Sequence, residues 1–265
     1  MKIRVRLFAM HREIVGSKTA ELELADASTL EDAWAAMAEA YPALGAGRAA
    51  VRFARNGAYA EPTVILADGD EVAFIPPVSG GSGDGPAEGG PEGADDEALD
   101  RRRVIQLMDE PFPEGLAGRL SGALATDEDG AVVVFIGRTR VSAGTPAPGQ
   151  EAEAARHEGR HVRGLDYEAL EPMALDVLGQ IADEIEERFG VVRLAIVHRV
   201  GDVPLGEPSI LVVAASPHRD AAFKAAHYAI DETKARAPIW KAERFADGHV
   251  WIGQPARTGP ENEGS

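Results

Sequence analysis

Apolar and charged residues alternate from the first positions of the chain. Ile3, Val5 and Leu7 are separated by Arg4 and Arg6, the period-2 pattern of a strand with one buried face. Leu22 and Leu24 alternate with Glu21 and Glu23 in the same way, and with His11 to Ser17 as a short connection the two runs predict an antiparallel hairpin. The period then changes. Leu30, Trp34, Met37 and Tyr41 recur at helical spacing, with Ser28 and Glu31 as a capping box and Pro42 as the stop. Val51 and Phe53 open another strand, Asn56-Gly57 predicts a tight turn, Val64 to Leu66 a short strand, and Asp68-Gly69 a turn into Glu71 to Ile75. The predicted order is strand, strand, helix, strands, ending in FIPPVSGG, Phe74 to Gly81.

No period exists in SGDGPAEGGPEGADDEALD, residues 82–100, which predicts a disordered linker. As a random coil it spans about 25 Å. A second patterned region, 101–265, follows it. Val104 to Met108 predicts a buried strand, Glu114 to Ala125 a short helix, and GAVVVFIGRTR, Gly130 to Arg140, carries the strongest signal of a buried strand, one that ends in polar residues. Residues 142–160 are rich in Gly, Pro and Ala and predict a long mobile loop. The chain resumes as strand at Val162 to Tyr167. Pro172 then starts a helix whose Leu175, Leu178, Ala182, Ile185 and Phe189 form one stripe, and Gly190 ends it. Strands at Val191 to Val200 and Ser209 to Ala215 flank the turn-rich GDVPLGEP. Ser216 as N-cap and Pro217 as first residue predict a helix to about Ala235, and Pro238 breaks the chain before an extended IWKAERF.

Composition narrows the chemistry. The 265 residues are enough for two domains, predicted at 1–81 and 101–265 around the 82–100 linker. A formal charge of −17 argues against nucleic acid and anionic membrane as partners. The linker contributes seven acidic residues and no basic one. With no cysteine, any sulfur chemistry must use sulfur brought from elsewhere. No apolar run approaches the ~18 residues of a membrane span, so a soluble cytoplasmic protein is the expectation.

Three groups of residues carry candidate chemistry. Gly80-Gly81 has no side chains, so it suits a narrow channel through which a terminal acyl group is delivered; a flexible hinge is the other reading. SPHR, Ser216 to Arg219, puts His218 and Arg219 at a predicted helix N-terminus, an arrangement that suits phosphate; ordinary capping beside a surface arginine is the other reading. Lys234 and Lys241 flank Pro238, which allows both to converge on one pocket where each ammonium lowers the other's pKa; a solvated pair is the alternative.

LADGDEVAFIPPVSGG, after the strand-strand-helix-strand order, resembles the end of the small subunit of molybdopterin synthase, a β-grasp (ubiquitin-like) sulfur carrier. GAVVVFIGRTR, HRVGDVPLGE, SPHRDAAF and DETKARAPIWKAE, in that order, resemble the large, catalytic subunit of the same enzyme. The resemblance implies an α+β chain: a β-grasp domain, a disordered linker and an α/β-hammerhead-like catalytic domain. It implies transfer of sulfur from a Gly81 thiocarboxylate to cyclic pyranopterin monophosphate, with Lys234 and Lys241 catalytic and Arg138, Thr139, Arg140, His218, Arg219 and Glu243 at the substrate. No metal or tightly bound cofactor is implied, and ATP serves only a separate activating enzyme that adenylates and sulfurates the tail. A homodimer through 101–265 is also implied.

Three departures stand out. The carrier family ends at its second glycine, whereas here Ser82 follows Gly81, so a protease cut after Gly81 is expected. Arg138 stands where lysine is frequent, and Ala242 where a basic residue is, which bears on fine substrate contacts. The 142–160 loop is longer than the family's. Two other functions fit parts of the chain: a non-catalytic β-grasp adaptor joined to an inactive enzyme-like domain, and a sulfur carrier for another pathway.

Overall fold

The computed structural model describes residues 1–78 and 102–253. The expected Gly80-Gly81 tail, the 82–100 linker and both domain limits lie outside the described residues.

The first module runs β1 (Lys2–Leu7), α1 (Ala9–Val15), β2 (Thr19–Glu23), α2 (Leu30–Ala40), a 3-10 stretch (Pro42–Ala50), β3 (Arg52–Arg55), β4 (Ala58–Ala60) and β5 (Glu71–Ile75). Its sheet has the order β2-β1-β5-β3-β4, with β1 and β5 parallel in the middle. The period-2 residues of β1, Ile3, Val5 and Leu7, are buried, and α2 lays Leu30, Trp34 and Met37 over that face. Trp34 meets Phe74 edge-on at 5.1 Å. This is the β-grasp arrangement.

Local chemistry moved several expected boundaries. The connection between β1 and β2 folds into α1, closed by Gly16 in the left-handed region at φ 76°. Thr29, not Ser28, caps α2, with Asp32 closing the box from the third helical position. Val64 to Leu66 forms only an isolated bridge, Ile65 to Thr29, and the strand that follows the Asn56-Gly57 turn and pairs with β3 is β4.

The second module runs β6 (Arg103–Met108), α3 (Leu116–Leu124), β7 (Ala131–Arg138), α4 (Glu151–Arg156), β8 (Gly164–Ala169), α5 (Glu171–Phe189), β9 (Arg193–Arg199), β10 (Gly201–Pro204), β11 (Pro208–Ser216), α6 (Arg219–Arg236), β12 (Ile239–Arg244) and β13 (His249–Ile252). Two four-stranded sheets result, β6-β9-β11-β7 and β10-β8-β12-β13. One core joins them through α5 and α6, with Ile181, Ile196, Val212, Ala225 and Ile239 among its buried members. The 142–160 segment is not wholly irregular, since α4 lies within it and Pro146 bridges to Ile252. The turn-rich GDVPLGEP holds β10, and β13 was not foreseen.

The two modules pack against each other through a shared apolar cluster. Phe8 stacks on Trp240 with ring centroids 4.8 Å apart, and Trp240 Nε1 donates to the Pro76 carbonyl at 2.9 Å. The Ala9 amide and Arg12 both reach Glu168, at 3.1 and 3.0 Å, and Tyr59 donates to the Arg236 carbonyl at 2.9 Å. The second sheet is therefore a partition. Strand alternation turns Trp240 and Ala242 of β12 toward the first module, and Ile239, Lys241 and Glu243 toward the interior of the second. Ala242 thus faces the first module, away from the side that Lys241 and Glu243 face.

Candidate active site

Behind that partition lies a cavity of about 410 Å³. β12 supplies Lys241 and Glu243, the paired strand β8 supplies Leu165 and Tyr167, the end of α6 supplies Thr233 and Lys234, and the end of β7 supplies Arg138, Thr139 and Arg140. Four cations and one carboxylate give the cavity a net positive lining, which suits an anionic substrate. Pro238 works as the sequence suggests: it ends α6 and lets the chain return as β12, so two lysines seven positions apart meet at one cavity.

Lys241 is the buried member of the pair, its side chain 20% exposed. Burial holds its pKa below the ordinary lysine value; Glu243 opposes that shift, and Lys234 and Arg140 add to it. The Glu243 carboxylate, 3.9 Å from Lys241 Nζ, accepts from the Gly144 amide at 3.0 Å through each oxygen. A Cβ on Gly144 would stand 3.1 Å from that carboxylate and 3.8 Å from Lys241 Nζ, so glycine permits this approach. Below them Tyr167 is pushed up to about 12, chiefly by burial, and donates to Ser209 Oγ at 3.3 Å. Burial also holds His198 down at about 4, so the ring that meets Tyr167 edge-on is neutral.

Arg138 Nε donates to the Gly206 carbonyl at 2.7 Å, tying the end of β7 to the turn before β11. His218 and Arg219 are exposed at the opposite end of α6 from Lys234. At 1.5 Å per residue, about 24 Å of helix separates His218 from Lys234, so within one chain they do not line the cavity. His218 itself is the N-cap, with helix beginning at Arg219; Ser216 and Pro217 lie outside it.

Sequence reasoning missed Tyr167, His198, Ser209 and Thr233. All lie within elements whose periodicity reads as ordinary core; strand pairing sets Tyr167 opposite Lys241, and the packing of the fold brings the other three to the same cavity. Among the described residues no group of three or more His, Cys, Asp or Glu side chains could hold a metal ion.

The described end of the first module lies close by. Val78 is fully buried, and a Cβ on Gly253 would overlap its carbonyl oxygen and stand 3.2 Å from that of Pro77. Gly253 follows Ile252, whose cross-strand partner on β12 is Lys241.

The MoaE protein family model matches residues 114–236 and the ThiS family model residues 5–81. The molybdopterin synthase catalytic subunit of Bacillus subtilis (strain 168) is 40% identical over 131 residues, 49% of this chain and 74% of that protein. Its counterpart in Dictyostelium discoideum is 39% identical over 134 residues, 49% of this chain and 76% of that protein. Among solved structures, molybdopterin synthase from Staphylococcus aureus superposes with a TM-score of 0.47 at 33% identity, covering 59% of this chain and all of that one. The chain belongs to the family of molybdopterin synthase catalytic subunits, and it carries a ThiS-family β-grasp module ahead of that domain.

Proposed function

We propose that this chain is a sulfur carrier and its sulfurtransferase in one polypeptide, moving sulfur from a Gly81 thiocarboxylate to cyclic pyranopterin monophosphate. One observation carries the reading: the described end of the carrier module, Val78, lies beside Gly253, next to the residue paired with Lys241. Three further residues, Ser79 to Gly81, follow Val78 in the sequence, a length of about 10 Å if extended.

In this reading Lys234 and Arg140 hold the substrate anion while Lys241 faces the carbonyl of the tail. The thiocarboxylate sulfur bonds to substrate carbon as the carbon–oxygen bond there breaks, the displaced oxygen staying on the phosphate or taking up protons and leaving as water. Water then cleaves the bond between sulfur and the acyl carbon, its oxygen returning Gly81 to a carboxylate and leaving sulfur on the substrate. Two rounds give the dithiolene. Burial keeps Lys241 closer to neutrality than an exposed lysine, which suits it to give or take the protons these steps require. A peptide bond between Gly81 and Ser82 leaves no carboxylate to activate, so the chain is cut after Gly81 before an activating enzyme adenylates and sulfurates the tail.

The pocket is completed by a second copy. β7 is an edge strand, and Val132, Val134 and Ile136 on one of its faces are 39%, 41% and 47% exposed, an uncovered apolar stripe. Antiparallel pairing of two β7 strands about a two-fold axis sets residue 131 of one beside residue 138 of the other. Ser216 pairs with Ala131, so His218 and Arg219 of a second copy come to the Arg138–Arg140 end of the cavity. Dithiolene formation by the cut chain, supplied with activating enzyme, sulfur donor and ATP, tests the function: activity that is lost when the tail glycines are removed supports it, and activity that survives their removal overturns it.

A further inference from the structure

Thr233 immediately precedes Lys234 in the last turn of α6 and has no part in the reading above. Among the described residues only two buried hydroxyls lack a hydrogen-bond partner, those of Thr139 and Thr233, and both line the same cavity. The residues are 4% and 3% exposed. Their backbones are pinned, because the Thr139 amide and carbonyl bond Glu207 and Gly206, each at 3.0 Å, and the Thr233 carbonyl accepts from Ala237 at 3.1 Å. Both hydroxyls are thus held in place by bonds they do not themselves make. Buried polar groups in folded proteins are nearly always paired, and two exceptions at one cavity point to a ligand that pairs them.

We infer that Thr233, with Thr139, is a specificity-determining contact that reads the neutral, hydrogen-bonding edge of the substrate's ring system. This rests on the sulfur-transfer reading of the same cavity. Four cations already match an anionic group, and a hydroxyl adds no charge to that match. What it adds is a donor and an acceptor in one group, the complement of a nitrogen heterocycle edge that presents both. A site built to hydrogen-bond a ligand discriminates strongly against analogues lacking the matching group, because its own polar atoms are then left unpaired.

The test is binding of cyclic pyranopterin monophosphate, and separately of inorganic phosphate, to the full chain by calorimetry, with a thermal melt of each variant. Thr233→Val keeps the β-branched shape and removes the hydroxyl; Thr233→Ser keeps the hydroxyl. Thr233→Val and Thr139→Val should each weaken pterin binding about tenfold, leave phosphate binding unchanged and not lower Tm, while Thr233→Ser stays near the parent. Pterin binding by Thr233→Val equal to the parent, an equal loss for phosphate, or a lowered Tm with unchanged affinity would each overturn the role. A parent chain that binds no pterin phosphate would overturn the sulfur-transfer reading along with it, whereas a parent that binds and a Thr233→Val variant that binds equally would overturn Thr233 alone.

Discussion

Lys241 and Glu243 share one face of β12, with the Glu243 carboxylate 3.9 Å from the Lys241 ammonium. Glu243 holds the ammonium of Lys241 in place against the burial that favours the neutral amine. Replacing Glu243 with Gln removes the group that raises the lysine pKa, so the limb of the pH–rate profile that reports Lys241 should move to lower pH; a limb that stays or rises contradicts the pairing. Lys241→Ala and Lys234→Ala should each cost roughly 10²–10³ in kcat, the usual loss for one contact to developing charge, with Tm preserved for the exposed Lys234. A fall under about fivefold in both would remove them from the chemistry. The lysines and the arginines were legible because charge is conspicuous beside an apolar strand and a proline. Thr233 was not: a threonine inside a helix looks the same whether its hydroxyl meets water, a carbonyl or a substrate.

At the scale of elements, the sheet β10-β8-β12-β13 separates carrier from cavity, and β12 serves both sides by alternation. Trp240 is the anchor on the carrier side. Trp240→Phe keeps the stack on Phe8 but leaves the buried Pro76 carbonyl unpaired, a loss of about 1–3 kcal/mol in the docking of the modules. Gly253→Ala should act more sharply, because its Cβ meets backbone atoms of Val78 that have no flexible end to yield. We expect Gly253→Ala to depress transfer from the chain's own tail, measured by dithiolene yield, with Tm of the second module unchanged; parental yield would mean that the tail does not pass this point. The alternation behind this partition is plain in IWKAERF only once β12 is known to be a middle strand with both faces covered. Short elements were harder to read. α1 has seven residues and β13 four, too few to establish a period, and the α2 cap moved by one because Ser28 and Thr29 are both good caps and Asp32 suits only the second.

For the whole molecule, docking and assembly set the remaining expectations. Glu13 Oε1 and His249 Nε2 meet across the module boundary at 2.9 Å. The hydrogen bond to Glu13 raises the His249 pKa; on Glu13 burial pushes upward, but His249, with Trp251 and Arg12, makes the net shift downward. The histidine's contribution to docking is therefore full below its ordinary value of 6.5 and is lost as pH rises through the raised one. Contact between the modules, followed by hydrogen exchange at Phe8 to Glu13, should loosen over that range, and Glu13→Gln should flatten the change; loosening on acidification from neutrality would reverse the sign and refute it. Composite sites predict complementation. Lys234→Ala and Arg219→Ala chains, each inactive alone, should regain about a quarter of parental activity when mixed and allowed to exchange, since half the dimers are then mixed and each holds one intact site. No recovery would place Arg219 outside the partner's cavity.

The central claim is that Gly81 carries sulfur and the cavity behind β12 receives it. Intact-mass measurement tests this most directly. The chain is incubated with an activating enzyme, a sulfur donor and ATP, and cyclic pyranopterin monophosphate is then added. The account predicts a fragment ending at Gly81 that gains the mass of one oxygen exchanged for sulfur, and that loses this gain on addition of the pterin in step with dithiolene formation. A chain that stays uncut and unmodified at Gly81 yet still yields dithiolene, with no separate carrier present, would contradict it.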